Sequence, residues 1–393
     1  MKKILILCGV IAVILIAGAA VYLSFFRTHA SAGQQLPTYF SYTKDDLAPL
    51  AGLSSKQTIQ IEDIYRSDKT AFDLVAQNTL RKDFTEESSK IYAYLAAAER
   101  DFAFLSYNTS GVFAGTINPF TKELFCTLKL HGCESLIVEG DSDAYSEALS
   151  KIVLAKVQAR IAEDTAALAP YPILTGAHYW NGPQPSIGLT NGSSKGWFIT
   201  KGDEFRAPPP PAIDSAEFKK QLQITEDALH NATPEQKHAT VFWAGGPGTK
   251  TPPGQLLDLG DSYMKEKNVP LAKAIFVRSV VALAIADAVT AVFDSKYTYF
   301  IPRPFMMDSS IITIMPTPNH PSYPAGHSTL STAATTVLAY YFPADTPLWK
   351  AKAEEAGMSR IWGGIHYVMD HNAGVVIGTK VGTAATQASP WKE

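Results

Sequence analysis

Seven residues in three separated segments could together do chemistry on one small anion. KYTYFIPRP (296–304) supplies Lys296 and Arg303, YPAGH (323–327) supplies Gly326 and His327, and SRIWGGIHYVMD (359–370) supplies Arg360, His366 and Asp370. Three fixed cations, two imidazoles and one carboxylate with no metal-ligand cluster describe a pocket for a tetrahedral oxyanion. An anion of charge two or three taken out of water needs comparable positive charge around it, because desolvating an unpaired ion costs several kcal/mol or more. Guanidinium forks and a compact ammonium meet that need and suit phosphate or vanadate.

The histidines divide the work. His366 and Asp370 are four residues apart, on one face if the segment is helical. The carboxylate then accepts from one ring nitrogen and fixes the tautomer, so the other nitrogen presents its lone pair. That makes His366 the nucleophile or ligand and His327 the acid/base. Gly326 stands before STLSTAATTVLAYYF, whose apolar residues recur at helical spacing, so its amide is expected at a helix N-terminus where the dipole favours an anion. Gly363 and Gly364 permit close backbone approach just before His366.

The three segments, in order within 75 residues, resemble the signature of the type 2 phosphatidic acid phosphatase and vanadium haloperoxidase superfamily. That signature is Lys, six residues, Arg-Pro; then Pro-Ser-Gly-His; then Ser-Arg, five residues, His, three residues, Asp. One position departs from it: Ala325 replaces the serine, removing one donor to the anion. The resemblance implies that Lys296, Arg303, Gly326 and Arg360 bind the oxyanion, that His327 is the general acid/base, and that His366, held by Asp370, attacks phosphorus or ligates vanadium. The stretch TPEQKHATVFWAGGPGTKTPPGQ (233–255), the preceding PPPP (208–211) and the helix running into FDSKYTYF are similar to bacterial haloperoxidase-like members. His320 stands seven residues before His327, where algal bromoperoxidases carry a histidine, and is a candidate halide or pocket residue. RPF and SYPxGH phrases are similar to those of exported acid phosphatases. Two readings therefore stand: a vanadium-dependent haloperoxidase using vanadate as cofactor, or a metal-independent acid phosphatase with a phosphohistidine intermediate and no cofactor.

The elements that must position these residues read as all-α, two packed helical bundles with the site in the second. Apolar spacing gives helices at roughly 60–80, 86–107, 142–168 and 270–294, after an extended polar lead-in at 33–60. Residues 169–212, rich in Gly, Pro, Asn and aromatics, read as a long irregular surface connection. This makes residues 33–212 an N-terminal helical half with a Pro-rich seam and 213–393 a C-terminal helical domain. Thr233-Pro234-Glu235-Gln236 is a helix start with a threonine cap. LAKAIFVRSVVALAIADAVTAVF, interrupted by Arg278 and Asp287, is expected as a buried core helix rather than a membrane span. Tyr323, Trp362 and Tyr367 line the pocket or pack against the bundle.

The 393 residues are 46% hydrophobic and 18% charged, enough for a large core, and the net charge of −3 without a basic stripe excludes a nucleic-acid partner. Partners reduce to a small-molecule substrate and a membrane met only through the N-terminus. There Lys2 and Lys3 precede an uncharged stretch, Ile4 to Phe26, and Ala30-Ser31-Ala32 offers small residues for cleavage. Residues 1–32 are thus a signal peptide or an anchor, and the enzyme is expected outside the cytoplasm or in the periplasm. In that setting Cys126 and Cys133 can close a small disulfide loop, while Cys8 belongs to the apolar stretch.

Overall fold

A computed structural model describes residues 35–81, 88–137 and 141–391. The N-terminal apolar stretch, with Cys8, lies outside the described residues. Among them the chain is all-α, and the pairing of Thr58 with Ala114 is an isolated bridge. The N-terminal half contains α1 (Ile61–Asn78), α2 (Ser88–Ser110), α3 (Ile117–Thr127) and α4 (Ala144–Ala167). The C-terminal half contains α5 (Ala216–His230), α6 (Pro234–Phe242), α7 (Thr251–Glu266), α8 (Leu271–Tyr299), α9 (Gly326–Tyr341), α10 (Thr346–Trp362) and α11 (Val368–Ala388).

Helix α8 is the axis of the molecule. Pro270 sits at its N-cap, Phe300 ends it in the left-handed conformation at φ 51°, and nearly every residue between is buried. It is apolar and long enough to cross a membrane, yet its apolar window is wholly covered by protein, as expected for a core helix. Its Ala- and Val-rich surface packs α2 on one side and α9 and α11 on the other, so one hydrophobic core runs through both halves. Its charged interruptions are also buried. Arg278 pairs with Asp68, with Glu99 at 3.2 Å and with Asp261 at 3.6 Å, joining α8 to α1, α2 and α7.

The 169–212 connection is irregular as expected, but it is pinned to α8 rather than lying free on the surface. Asp287 accepts from the amides of Trp197, Phe198 and Ile199 at 2.7, 2.7 and 3.1 Å. Asp294 accepts from Arg206 Nε at 2.7 Å and from the Tyr171 hydroxyl at 2.5 Å. A buried carboxylate must find donors, and a segment without its own ladder offers free amides. The lead-in is likewise not wholly extended, because Thr43 and Asp46 form a capping box on the single turn Lys44–Leu47.

Helices α9 and α11 approach closely because Gly374, Gly378 and Gly382, at helical spacing, face α9. A Cβ at Gly378 would lie 2.4 Å from the Thr329 carbonyl, and one at Gly374 would lie 2.8 Å from that of Ala325. The contact brings the start of α11 against the start of α9, where the Ala325 amide donates to the Asp370 carbonyl at 2.9 Å. Cys126 and Cys133 form a disulfide at the end of α3.

Candidate active site

The structure brings the seven sequence-predicted residues together at the adjoining ends of α8, α9, α10 and α11. Lys296 lies in the last turn of α8, Arg303 just beyond it, Gly326 and His327 open α9, Arg360 lies in the last turn of α10, and Asp370 lies in the first turn of α11. One expectation is corrected. His366 is not on a helical face with Asp370, because α11 begins only at Val368; the pair meets across the helix start, where the carboxylate folds back. There Asp370 Oδ2 accepts from His366 Nδ1 at 2.7 Å and from the Tyr367 amide at 3.2 Å.

Lys296, Arg303, Arg360 and Asp370 are all 0% exposed. With Lys296 protonated, this leaves two positive charges in excess inside the protein. Burial pulls Arg303 down to about 10, with Asp370 opposing, and pulls Arg360 down to about 9, with Arg303 adding to the effect. Burial, then Arg303, holds Lys296 well below its ordinary value, against Asp370. A buried, under-neutralised cation cluster of this kind is unfavourable unless an anion completes it.

The donors are arranged as if on loan. Arg360 gives Nε to Ser359 Oγ at 2.9 Å, Nη1 to Met315 Sδ at 2.8 Å and Nη2 to the Thr240 carbonyl at 2.6 Å. Of its five N–H groups, two are left over. Arg303 uses Nε and Nη1 on the carbonyls of His320 and Ile365 at 3.1 and 2.8 Å. It also donates from Nη1 to His366 Nε2 at 2.9 Å and from Nη2 to His320 Nδ1 at 3.0 Å. Arginine can only donate, so His366 Nε2 carries a lone pair, whereas His320 Nδ1 also lies 3.1 Å from the Pro321 carbonyl, which can only accept. Lys296 differs from the others, since its ammonium gives all three bonds to the carbonyls of Pro321, Ser322 and Pro324, at 2.9, 2.7 and 2.5 Å. It shapes the loop that delivers Gly326.

Two helix ends complete the field. The first amides of α9 have no intrahelical acceptors, Ala325 provides no side-chain cap, and a methyl group at Gly326 would meet no atom within 4 Å. Open space therefore lies at the positive end of a helix dipole, a fitting cradle for phosphate or vanadate. At the C-terminal end of α6, orphan carbonyls turn to the site: Thr240 O receives Arg360, and Trp243 O receives His327 Nε2 at 2.6 Å. The Thr233–Gln236 capping box read from the sequence starts this helix.

Burial lowers all three histidines well below 6.5. The next cause is Arg303 for His366, Arg360 for His327 and Lys296 for His320. His366 is therefore neutral near pH 7, with its proton on Nδ1 and its lone pair on Nε2. Burial raises Asp370 to about 6, opposed first by the Ser322 hydrogen bond and then by Lys296.

Sequence reading missed the supporting residues. Ser322 donates its hydroxyl to Asp370 Oδ2 at 2.6 Å, Thr225 donates to the His366 carbonyl at 3.2 Å, and Thr240 donates to the Ser359 carbonyl at 2.9 Å. Thr240 lies inside the 233–255 stretch and Ser322 inside the SYPxGH phrase, but neither phrase assigned them a role. Tyr323 and Tyr367 pack in the bundle: the first donates to the Pro208 carbonyl at 2.8 Å, and the second lies against Phe218 with ring centres 5.1 Å apart. Trp362 is half-buried at the end of α10.

Residues 276–393 match the model of the PAP2 superfamily. A search of curated protein sequences gives no match. Among solved structures, the fold is shared with the first bacterial vanadium-dependent iodoperoxidase, at 21% identity and a TM-score of 0.70 over 85% of this chain and 98% of that one. It is shared more loosely with a bacterial vanadium-dependent chloroperoxidase in its holo form, at 14% identity and a TM-score of 0.53 over 90% of this chain and 97% of that one. The region matched by the PAP2 superfamily model, residues 276–393, contains all seven site residues.

Proposed function

We propose that the protein is an exported, vanadium-dependent haloperoxidase that uses Lys296, Arg303, Gly326, Arg360 and His366 to hold vanadate and oxidises a halide with hydrogen peroxide. The observation that carries this reading is the excess of buried positive charge around open space at Gly326. The likeness to bacterial haloperoxidases over almost the whole chain supports that reaction over others of the same site. The Cys126–Cys133 disulfide supports an oxidising compartment and hence export. The organisation into a signal or anchor (1–32), an N-terminal half (33–212) and a catalytic C-terminal domain (213–393) is part of the same proposal.

When bound, vanadate supplies the activation of peroxide and the transfer of oxygen to halide. The chain supplies charge, orientation and protons. Arg303 releases His366 Nε2 when an anion offers a better acceptor, and the freed lone pair becomes the protein's ligand. Asp370 keeps the proton on Nδ1. His327, its Nε2–H committed to the Trp243 carbonyl, exchanges protons through Nδ1. His320, beside Arg303 and edge-on to Phe293, borders the halide side of the pocket.

The alternative is phosphomonoester hydrolysis, with His366 Nε2 attacking phosphorus and His327 protonating the leaving oxygen. The same tautomer of His366 favours it. Two assays on one preparation separate the readings: bromide or iodide oxidation with vanadate and peroxide, and p-nitrophenyl phosphate hydrolysis without vanadate. The haloperoxidase reading expects the first activity to exceed the second; hydrolysis without halide oxidation would overturn it.

A further inference from the structure

We infer that Met315 is an oxidisable partner of Arg360: its thioether occupies one guanidinium N–H beside the oxyanion, and oxygen transfer to its sulfur weakens oxyanion binding. This rests on the haloperoxidase reading. Met315 precedes the signature serine-arginine by more than forty residues and belongs to none of the three segments. It reaches the site because its loop is tied down: Thr313 Oγ1 donates to the Met315 carbonyl at 2.8 Å, and the Ile314 amide donates to the Gly363 carbonyl at 3.3 Å. The side chain is 9% exposed, and its sulfur lies 2.8 Å from Arg360 Nη1.

A thioether is a weak acceptor. A buried guanidinium ordinarily finds a carbonyl or carboxylate, and the other two nitrogens of Arg360 find a hydroxyl and a carbonyl. The sulfur thus satisfies Nη1 just enough to bury it while leaving it ready to turn to an oxyanion. Oxidation removes that readiness. A sulfur lone pair takes one oxygen from hydrogen peroxide: the S–O bond forms, the O–O bond breaks, sulfur is oxidised by two electrons, and the other oxygen leaves as water with both protons. The polar sulfoxide oxygen is a strong acceptor and competes with the anion for Nη1.

The test uses full-length protein loaded with vanadate and treated with peroxide without halide, and a control lacking vanadate. Oxygen uptake at each methionine is read by peptide mass spectrometry. Met306, Met307 and Met358 are more exposed than Met315, so untargeted oxidation reaches them first. The inference expects Met315 to gain oxygen first, and only with vanadate; the same order in both samples overturns it. Affinity for vanadate and for phosphate gives an independent readout. Peroxide treatment of the loaded wild type, or Met315→Gln standing for the sulfoxide, weakens both about tenfold, a hydrogen bond's worth. Met315→Leu binds at least as tightly as wild type and keeps its affinity after peroxide. Equal loss in wild type and Met315→Leu overturns the inference. Halide oxidation assayed on the same preparation separates the two failures. If halide is oxidised while Met315 stays intact, only this inference falls; if neither is oxidised, the haloperoxidase reading falls with it.

Discussion

Arg303 Nη1 lies 2.9 Å from His366 Nε2, so a cation meant for the anion covers the lone pair meant for it too. Binding an oxyanion must therefore be an exchange, in which the guanidinium turns from imidazole to anion and both partners gain. The contact also keeps His366 neutral, because burial and then Arg303 hold its proton affinity well below the ordinary value.

A pH dependence follows. A histidine whose folded pKa is lowered stays neutral as pH falls through 6.5 and is protonated only at lower pH. His366 itself should therefore contribute no step near pH 6.5 to oxyanion binding. In Arg303→Met the proton affinity of His366 rises, and binding, already weakened by at least about tenfold through loss of a charge-assisted donor, begins to fall at a higher pH than in wild type. Histidine NMR titration of both proteins checks the direction. A wild-type His366 titrating at 6.5 contradicts it.

Ser322 orients Asp370, which in turn orients His366. Ser322→Ala should lower kcat roughly tenfold, as loss of an outer partner of a ligating histidine does, with little change in thermal stability. Ser322→Thr keeps the hydroxyl and should restore most of the rate. Equal losses in the two variants would mean that the hydroxyl does not orient the carboxylate.

Ala325 leaves the helix start of α9 without a side-chain donor. Ala325→Ser should tighten phosphate or vanadate binding by about three- to tenfold, the range of one added hydrogen bond. Calorimetric titration measures this directly, and unchanged or weaker binding would show that the hydroxyl cannot reach the anion.

Far from the site, Arg278 neutralises part of a buried carboxylate cluster between the halves. Arg278→Leu should destabilise the fold by about 3–5 kcal/mol, the cost of leaving buried charge uncompensated. The effect is pH-dependent, since burial raises Glu99 to about 7 and Asp261 to about 6. These raised carboxyls bind protons more tightly in the fold, so the variant should recover part of its stability as pH falls from 7 towards 4. Denaturant melts at two pH values test both statements.

Much of this was legible in the chain because the site is written in backbone-coupled phrases. Arg360 stands in the last turn of α10, Arg303 follows the end of α8, and Gly326 opens α9, so residue type and spacing carried the geometry. The long helices were legible from their apolar spacing, and α8 as a core helix from Arg278 and Asp287. What was not legible depends on carbonyls and on loops. No residue type reports that Thr240 and Trp243 will present main-chain oxygens to Arg360 and His327, or that all three Lys296 bonds will go to a loop's carbonyls. The start of α11 after His366, rather than before it, depends on Asp370 folding back to the Tyr367 amide, which sequence spacing does not distinguish from an ordinary helix-face pair.

The central claim is that one tetrahedral oxyanion completes the buried cation cluster and is held by His366. Equilibrium dialysis of purified protein against vanadate, with wild type and His366→Ala side by side, tests it most directly. The account predicts one vanadate per wild-type chain and loss of that binding in the variant; no binding by wild type, or the same affinity in His366→Ala, would contradict it.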